Sequence, residues 1–252
     1  MESYINCLNC GTKVKGKYCS ECGQKLNLPK LTFSAIIQDF LSTVFNIDAP
    51  FPKTVFRLFI NPASLIKEFI LGHRKSFYAP IKYLLLCLFI NLLTSELLGF
   101  DPIENQKLLE SPNQTRPGSE DAYAIGQFVT KYLNYFIFLF PFSIGIFSKL
   151  LFWRSKYNFT ERTVLGFYLS GQYVVISLLP ISLTLIHPKF IQLLYPFAIC
   201  YMTWVFYNFF EGGNKMMRFL KSLLTAGLSL IFYFFMAMVI AIFIVKLFNL
   251  SI

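Results

Sequence analysis

From residue 83 onward, apolar positions follow one another for whole helical lengths with no polar face. Five runs are long enough, at about 1.5 Å per residue, to cross the roughly 30 Å of hydrocarbon in a bilayer. They cover residues 83–100, 132–152, 164–186, 190–210 and 223–248. Only His187, Pro188 and Lys189 separate the third run from the fourth, which predicts a tight helical hairpin. Upstream the pattern is two-faced. Phe33, Ile36, Ile37, Phe40, Leu41, Val44 and Phe45 recur at helical spacing, with Ser34, Gln38, Asp39, Ser42 and Thr43 opposite. That predicts an amphipathic helix over residues 32–45, capped by Thr32. After a break at residues 46–52, a second amphipathic helix is expected over residues 54–60. It bends at Pro62 and resumes to Leu71, where Gly72 ends it and His73, Arg74 and Lys75 form a basic cap. Both helices are too short and too two-faced to span, so the second is expected in the membrane interface and the first on the bilayer or packed against the transmembrane block. Residues 101–121 are polar, with several acids and prolines, and read as a flexible acidic loop.

The first 26 residues break from this pattern altogether. They carry Cys7, Cys10, Cys19 and Cys22 in two Cys-x-x-Cys pairs, each followed by a glycine, Gly11 and Gly23. Such a knuckle points two thiolates at one ion, and the glycine accepts the positive φ of the turn beneath it. A hairpin through residues 13–18 is expected to join the knuckles. Four thiolates without an imidazole suit tetrahedral zinc in a closed structural site. Rubredoxin-like iron, a redox pair or an idle thiol cluster are the alternatives. With no apolar core of its own, so short a segment would take most of its folding free energy from Zn2+. Cys87 and Cys200 stand alone in apolar runs, where a free cysteine is a small hydrophobe.

Composition agrees with lipid as the solvent. Of 252 residues, 55% are hydrophobic and 14% are charged, against about 25% charged in soluble domains. The formal net charge of +10 does not point to nucleic acid, because the cations sit at the ends of apolar runs and no aromatic stacking platform accompanies Lys13, Lys15, Lys17 and Lys25. Arg57, Lys67, Arg74, Lys75 and Lys82 lie among Phe, Leu and Ile and are candidates for anionic lipid headgroups. Met1 leads into polar residues, so no signal peptide is expected and the amino end is expected in the cytosol. Eleven cations then flank the inner ends of the runs: Lys67, Arg74, Lys75, Lys82, Lys149, Arg154, Lys156, Arg162, Lys215, Arg218 and Lys221. Five flank the outer ends: Lys107, Arg116, Lys131, Lys189 and Lys246. That bias follows the positive-inside rule and leaves Ile252 outside.

Several residues taken together carry a family likeness. They are the glycine-flanked cysteines with Gly16-Lys17-Tyr18-Cys19 and Cys22-Gly23-Gln24, then Thr54, Pro62, Gly72-x-Arg74-Lys75, Tyr78 and Pro80. The pattern resembles the bacterial membrane-protein family known by the domain of unknown function DUF3667, over the first third of the chain. His73 stands where the likeness would put a lysine. The resemblance implies a bacterial cytoplasmic (inner) membrane and no particular activity. A looser likeness, of layout alone, is to five-span Yip1-type proteins.

Chemistry within the spans is sparse. Glu96 and Glu211 lie near span ends, and interior polarity is limited to residues such as Asn91, Ser143, Ser170, Gln172, Ser177, Thr203, Asn208 and Ser229. Gly166, Ser170 and Gly171 form a small-residue face suited to close helix packing. There is no His-Glu-x-x-His, no Gly-x-Ser-x-Gly and no phosphate loop. His73 and His187 fall on opposite sides of the expected membrane, so they cannot act as an acid–base pair. The three Asn-x-Ser/Thr sequons, at Asn113, Asn158 and Asn249, fall on both sides and read as chance.

The expectation is an all-α polytopic membrane protein with about five transmembrane helices. A zinc ribbon at residues 1–26 and a linker with interfacial helices at 27–82 precede the membrane block at 83–252. The expected role is a non-enzymatic scaffold or accessory subunit that contacts anionic lipid and other membrane proteins or itself, without nucleic acid. A lipid or small-solute transporter is the alternative, and a membrane-embedded lipid enzyme is a third reading.

Overall fold

The computed structural model describes residues 5–7, 10–16, 18–22, 50–109 and 120–248. The chain falls into two units, Met1–Asn46 and Ile47–Ile252. The amphipathic helix expected over residues 32–45 lies outside the described residues.

In the first unit, strands β1 (Ile5–Asn6) and β2 (Lys13–Val14) pair antiparallel, with Ile5 opposite Val14 and Asn6 opposite Lys13. The hairpin therefore closes around the first cysteine knuckle. Cys7 N donates to Thr12 O at 2.9 Å and Gly11 N to Cys7 O at 2.8 Å, so the pairing is spent on the knuckle turn.

The second unit begins with a helical hairpin, α1 (Pro50–Ile60) and α2 (Pro62–Ile70). α1 starts inside the stretch expected as a break, because Pro50 and Pro52 occupy a first turn, where a missing N–H leaves no bond unmade. Asn61 separates the helices: its N donates to Arg57 O, and its side chain accepts from Ser64 N ahead of Pro62 at the first helical turn. Gly72, with φ +111°, closes α2 in a Schellman motif, with Gly72 N on Phe69 O and His73 N on Glu68 O.

Then come α3 (Pro80–Leu97), α4 (Pro102–Leu109), α5 (Glu120–Tyr132), α6 (Phe140–Leu151), α7 (Phe159–Leu183), α8 (Leu194–Phe209) and α9 (Lys215–Phe248). Tight 3-10 turns at Leu133–Leu139 and Pro188–Leu193 lead into α6 and α8. Pro141 explains the first of these turns: its ring crowds the carbonyl of Ile137 and it has no N–H to give. The Tyr233 hydroxyl donates to Leu133 O at 2.8 Å and takes up one carbonyl of that turn. α4 corrects the flexible-loop reading of residues 101–121 over its first half. The Asp101 carboxylate accepts from Ile103 N at 2.7 Å and caps the helix, with Pro102 at its first position.

Five helical segments are long and apolar enough to cross a membrane: Pro80–Leu97, Ile125–Leu151, Phe159–Leu183, Pro188–Phe209 and Lys215–Leu247. The chain thus has the make-up of a multi-pass membrane protein. Its outward faces agree. On α3, Ile81, Leu85, Phe89, Leu93 and Leu97 repeat every fourth residue and are all exposed, while Tyr83, Leu84, Cys87, Leu88 and Asn91 are buried. A stripe of that kind faces acyl chains without cost and would be an aggregation hazard in water. α9 repeats the arrangement with Ile231, Phe235, Met238 and Phe243 exposed.

α7 is the central helix and packs against both α3 and α6. The contact depends on its glycines. A Cβ at Gly171 would lie 2.6 Å from the Tyr83 ring, and one at Gly166 would lie 2.5 Å from the Pro141 carbonyl oxygen. Polar groups then fasten the helices: Tyr83 OH donates to Gln172 Oε1 at 2.5 Å, Asn91 Nδ2 to Ser177 Oγ at 2.9 Å, and Ser143 Oγ to the Ser229 carbonyl at 3.1 Å. The small-residue face therefore serves close packing. Gly166→Val is expected to cost about 3 kcal/mol, because the neighbour it would meet is backbone and cannot rotate away. Thermal denaturation in detergent would read this directly. Gly126→Ala, with nothing within 4 Å of the added carbon, is the matched control.

Candidate metal centre and the clamped hairpin

The four Sγ atoms of Cys7, Cys10, Cys19 and Cys22 all lie within 4.8 Å of one another. Cys7–Cys22 and Cys10–Cys19 are each 3.6 Å apart, too far for disulfides, which need about 2.05 Å. Sulfurs at about 2.3 Å from a tetrahedral ion sit roughly 3.8 Å from one another, so the cluster has the size of a four-thiolate metal site. Gly11 follows the first knuckle with φ +74°, as the motif requires. Cys7 and Cys19 are buried with Val14, while Cys10 and Cys22 are exposed. Hydrogen bonding with Thr12 holds the Cys10 thiol down at about 6. The backbone amide of Cys22 favours the Cys19 thiolate, but desolvation and the neighbouring Cys10 and Cys22 sulfurs outweigh it and push that thiol up to about 11. Sulfurs this close resist a second negative charge until a cation joins them. These four residues can hold a metal ion.

The second feature is the α1–α2 hairpin. The Arg57 guanidinium grips Glu68 with two bonds, Nη1 to Oε2 at 3.0 Å and Nη2 to Oε1 at 2.8 Å, and Ser64 Oγ donates to the same carboxylate at 2.8 Å. Arg57 also lies 5.1 Å from the centre of the Phe77 ring. The hairpin is tied to the spans at several points. Tyr201 OH on α8 donates to Leu58 O at 2.8 Å. Thr54 is fully buried and its hydroxyl accepts from Tyr78 N at 2.9 Å, and Tyr78 O accepts from Tyr168 OH on α7 at 2.7 Å. Lys67 donates to the Glu211 carboxylate and, at 3.1 Å, to Asn208 O.

Among the cations read as headgroup contacts, Arg57 is engaged by Glu68 and Lys67 by Glu211. Arg74 is exposed, 6.0 Å from the Phe69 ring centre, and Lys82 is exposed on the first turn of α3. The side chain of Lys75 lies outside the described ones. Residues 54–71 were expected as a surface helix, yet Leu58, Leu65 and Ile66 are fully buried against the bundle. The hairpin therefore packs on the span unit while Phe56, Phe59, Ile60 and Leu71 stay exposed. The signal for this was Glu68, a lone acid among cations on an otherwise apolar face.

Arg57 holds the Glu68 carboxyl below the ordinary glutamate range. A carboxyl depressed in the folded state adds stability above its unfolded pKa and loses it as pH falls through the folded value. Both partners are about one-third exposed, so the pair is worth about 1 kcal/mol or less. Glu68→Gln is expected to flatten the acid limb of a thermal-midpoint-against-pH curve and to leave the neutral limb only slightly lowered.

Other roles emerged only in three dimensions. Asn158, which read as a chance sequon, caps α7: its Oδ1 accepts from Glu161 N at 2.9 Å, and Glu161 Oε2 accepts from Asn158 N at 2.8 Å. The Asn-x-x-Glu spacing carried that signal.

No curated protein matches the chain, and no solved structure does. A family model described as "Protein of unknown function (DUF3667)" matches residues 48–91. That stretch holds Thr54, Pro62, Gly72, Tyr78 and Pro80, which here build the turns and hydrogen bonds of the hairpin and the entrance to α3. Over the clamped hairpin and the start of the first span, the chain is similar to the DUF3667 family.

Proposed function

We propose that this protein is a non-enzymatic scaffold or accessory subunit of the bacterial cytoplasmic membrane. Its metal centre holds structural zinc and lies with the hairpin on the cytosolic side, and the carboxyl end lies outside. The observation that carries the reading is the clamped hairpin. A segment of two short helices, braced internally by Arg57–Glu68, is fixed to one end of the bundle by the Lys67–Glu211 ion pair and by hydrogen bonds, and presents exposed cations there. A rigid basic platform of that kind suits contact with other membrane proteins and with acidic headgroups. Small four-cysteine ribbons suit protein contact in the same way. The positive-inside bias supports the orientation.

The buried polar atoms support a transport reading less well, though three of them keep it in view. Asn91 Oδ1, Ser170 Oγ and Gln172 Nε2 are buried without hydrogen-bond partners between α3 and α7. Their neighbours are spent on helix–helix bonds.

Affinity capture of the intact chain from mild detergent tests the proposal. A stoichiometric membrane-protein partner that is lost on Cys7→Ser/Cys10→Ser, with the spans still inserted, is the expected result. Solute or lipid flux by the purified protein in liposomes, with no stoichiometric partner, would overturn it in favour of transport.

A further inference from the structure

A cavity of about 630 Å³ opens between the α6–α7 connection and the start of α9. Its walls include Trp153, Arg154, Glu211, Met217, Arg218 and Lys221. Three cations thus meet one carboxylate, and that carboxylate is already engaged by Lys67. Among the described residues no carboxylate lies within ion-pair distance of the three, and Glu211 feels Arg218 only at longer range. Arg154 rests 4.8 Å from the Trp153 ring centre and Arg218 4.2 Å from that of Tyr207, so both guanidinia are held by aromatic faces that leave their charge uncancelled. The Arg218 Nε is buried without an acceptor.

The position sharpens the imbalance. Arg218 and Lys221 belong to the first two turns of α9, a 34-residue helix with no acid in its first turn. The start of a helix already carries about half a positive charge, where anions and not cations are stabilised. Lys and Arg placed there raise the local potential unless an anion joins them. The lip of the cavity is apolar, with Trp153 and Met217 exposed. Cations within, and greasy residues at the rim of a span end, match a molecule with a charged head and an acyl tail.

We propose that this cavity binds a phosphate-bearing anion, supplied by the headgroup of an anionic phospholipid, with Arg154, Arg218 and Lys221 as its ligands. The inference goes beyond the scaffold reading and uses only the membrane placement of the spans.

Trp153 and Trp204 are the chain's two tryptophans, so Trp204→Phe leaves Trp153 as the sole reporter at the cavity. That protein is reconstituted into phosphatidylcholine vesicles holding a small fraction of chain-brominated phosphatidylglycerol, or the same fraction of brominated phosphatidylcholine. Quenching by vesicles made wholly of brominated phosphatidylcholine reads embedding by itself, so failure of the membrane placement is told apart from failure of the site. The expected result is an anionic-lipid enrichment at Trp153 of at least about fivefold, the effect of one cation at roughly 1 kcal/mol. It falls with added salt, and it drops to near unity in Arg154→Gln/Arg218→Gln/Lys221→Gln. Lys107→Gln/Lys131→Gln keeps the enrichment. Equal quenching by the two lipids in the parent protein would overturn the site. Equal quenching together with saturable binding of inorganic phosphate that Arg154→Gln/Arg218→Gln/Lys221→Gln abolishes would overturn the lipid source and assign the cavity to a soluble phosphate.

Discussion

Replacing Cys7 and Cys10 together by serine is expected to abolish metal binding, from one ion per chain to none, and to unfold the amino-terminal unit. The reason lies in how little else holds that unit. Among its described residues only Cys7, Val14 and Cys19 form a buried cluster, and two of the three are ligands. The paired strands are two residues each. Four-thiolate zinc sites contribute about 10–16 kcal/mol of apparent binding free energy, far beyond what one valine and a short hairpin supply. Acid should act in the same direction. Metal binding displaces the thiol protons, so affinity is expected to fall as pH is lowered. Elemental analysis of purified protein, with limited proteolysis of the first unit, checks both. Full occupancy in the double variant would refute the four-cysteine site. The spans belong to the other unit and should keep their thermal midpoint.

Arg162→Ala should destabilise the span unit by about 3–5 kcal/mol, among the largest effects of any single change. Arg162 is 1% exposed, yet no carboxylate lies within ion-pair distance of it among the described residues. Instead it donates to Ser148 O at 2.6 Å, Tyr157 O at 3.0 Å, Phe152 O at 2.9 Å and Ser155 Oγ at 2.7 Å. Ser148 and Phe152 stand at the end of α6, where the helix dipole is negative, and each carbonyl accepts the guanidinium beside a backbone N–H, Phe152 N on Ser148 O and Ser155 N on Phe152 O. One guanidinium therefore caps α6 from the start of α7. It lies 5.1 Å from the Phe210 ring centre, and Phe210 stacks on Phe152 at 4.2 Å. Alanine would strip the donors from several buried acceptors at once. Lysine should recover less than half of the loss, since an ammonium cannot fork to separate carbonyls in one plane. Thermal unfolding in detergent would read the series, with the exposed Lys156→Ala as control. A shift within error of that control would show the cap to be idle.

The contrast between these two sites explains what was legible in the sequence. The metal centre is local: four cysteines within sixteen residues carry their own geometry in their spacing. The spans are nearly as plain, because lipid demands unbroken apolar length. Boundaries moved where proline was read only as a breaker. Pro50, Pro80 and Pro102 each open a helix, so α1 and α3 begin earlier than apolarity alone implied and α4 forms in a stretch read as loop. α9 likewise gains eight residues at its start, because Lys215, Arg218 and Lys221 look like a polar loop but are good helix formers. The docking of the hairpin was hidden for a different reason. Its amphipathic face is the same whether it meets acyl chains or a bundle, and the tie to the bundle is Glu211, 144 residues from Lys67. Arg162 was counted as one more inner cation. Nothing local distinguishes a cation that caps a neighbouring helix from one that faces headgroups.

The central claim is that five apolar helices thread the bilayer, with the hairpin end and the far end of the chain on opposite sides. Single cysteines introduced as Lys156→Cys and Lys189→Cys, at opposite ends of α7 and both exposed, test it most directly. In sealed vesicles oriented with the cytosolic face inward, a membrane-impermeant maleimide should add label over the parent protein at position 189 at once. At position 156 it should do so only after the vesicles are opened. Equal labelling of both positions before opening would contradict the account.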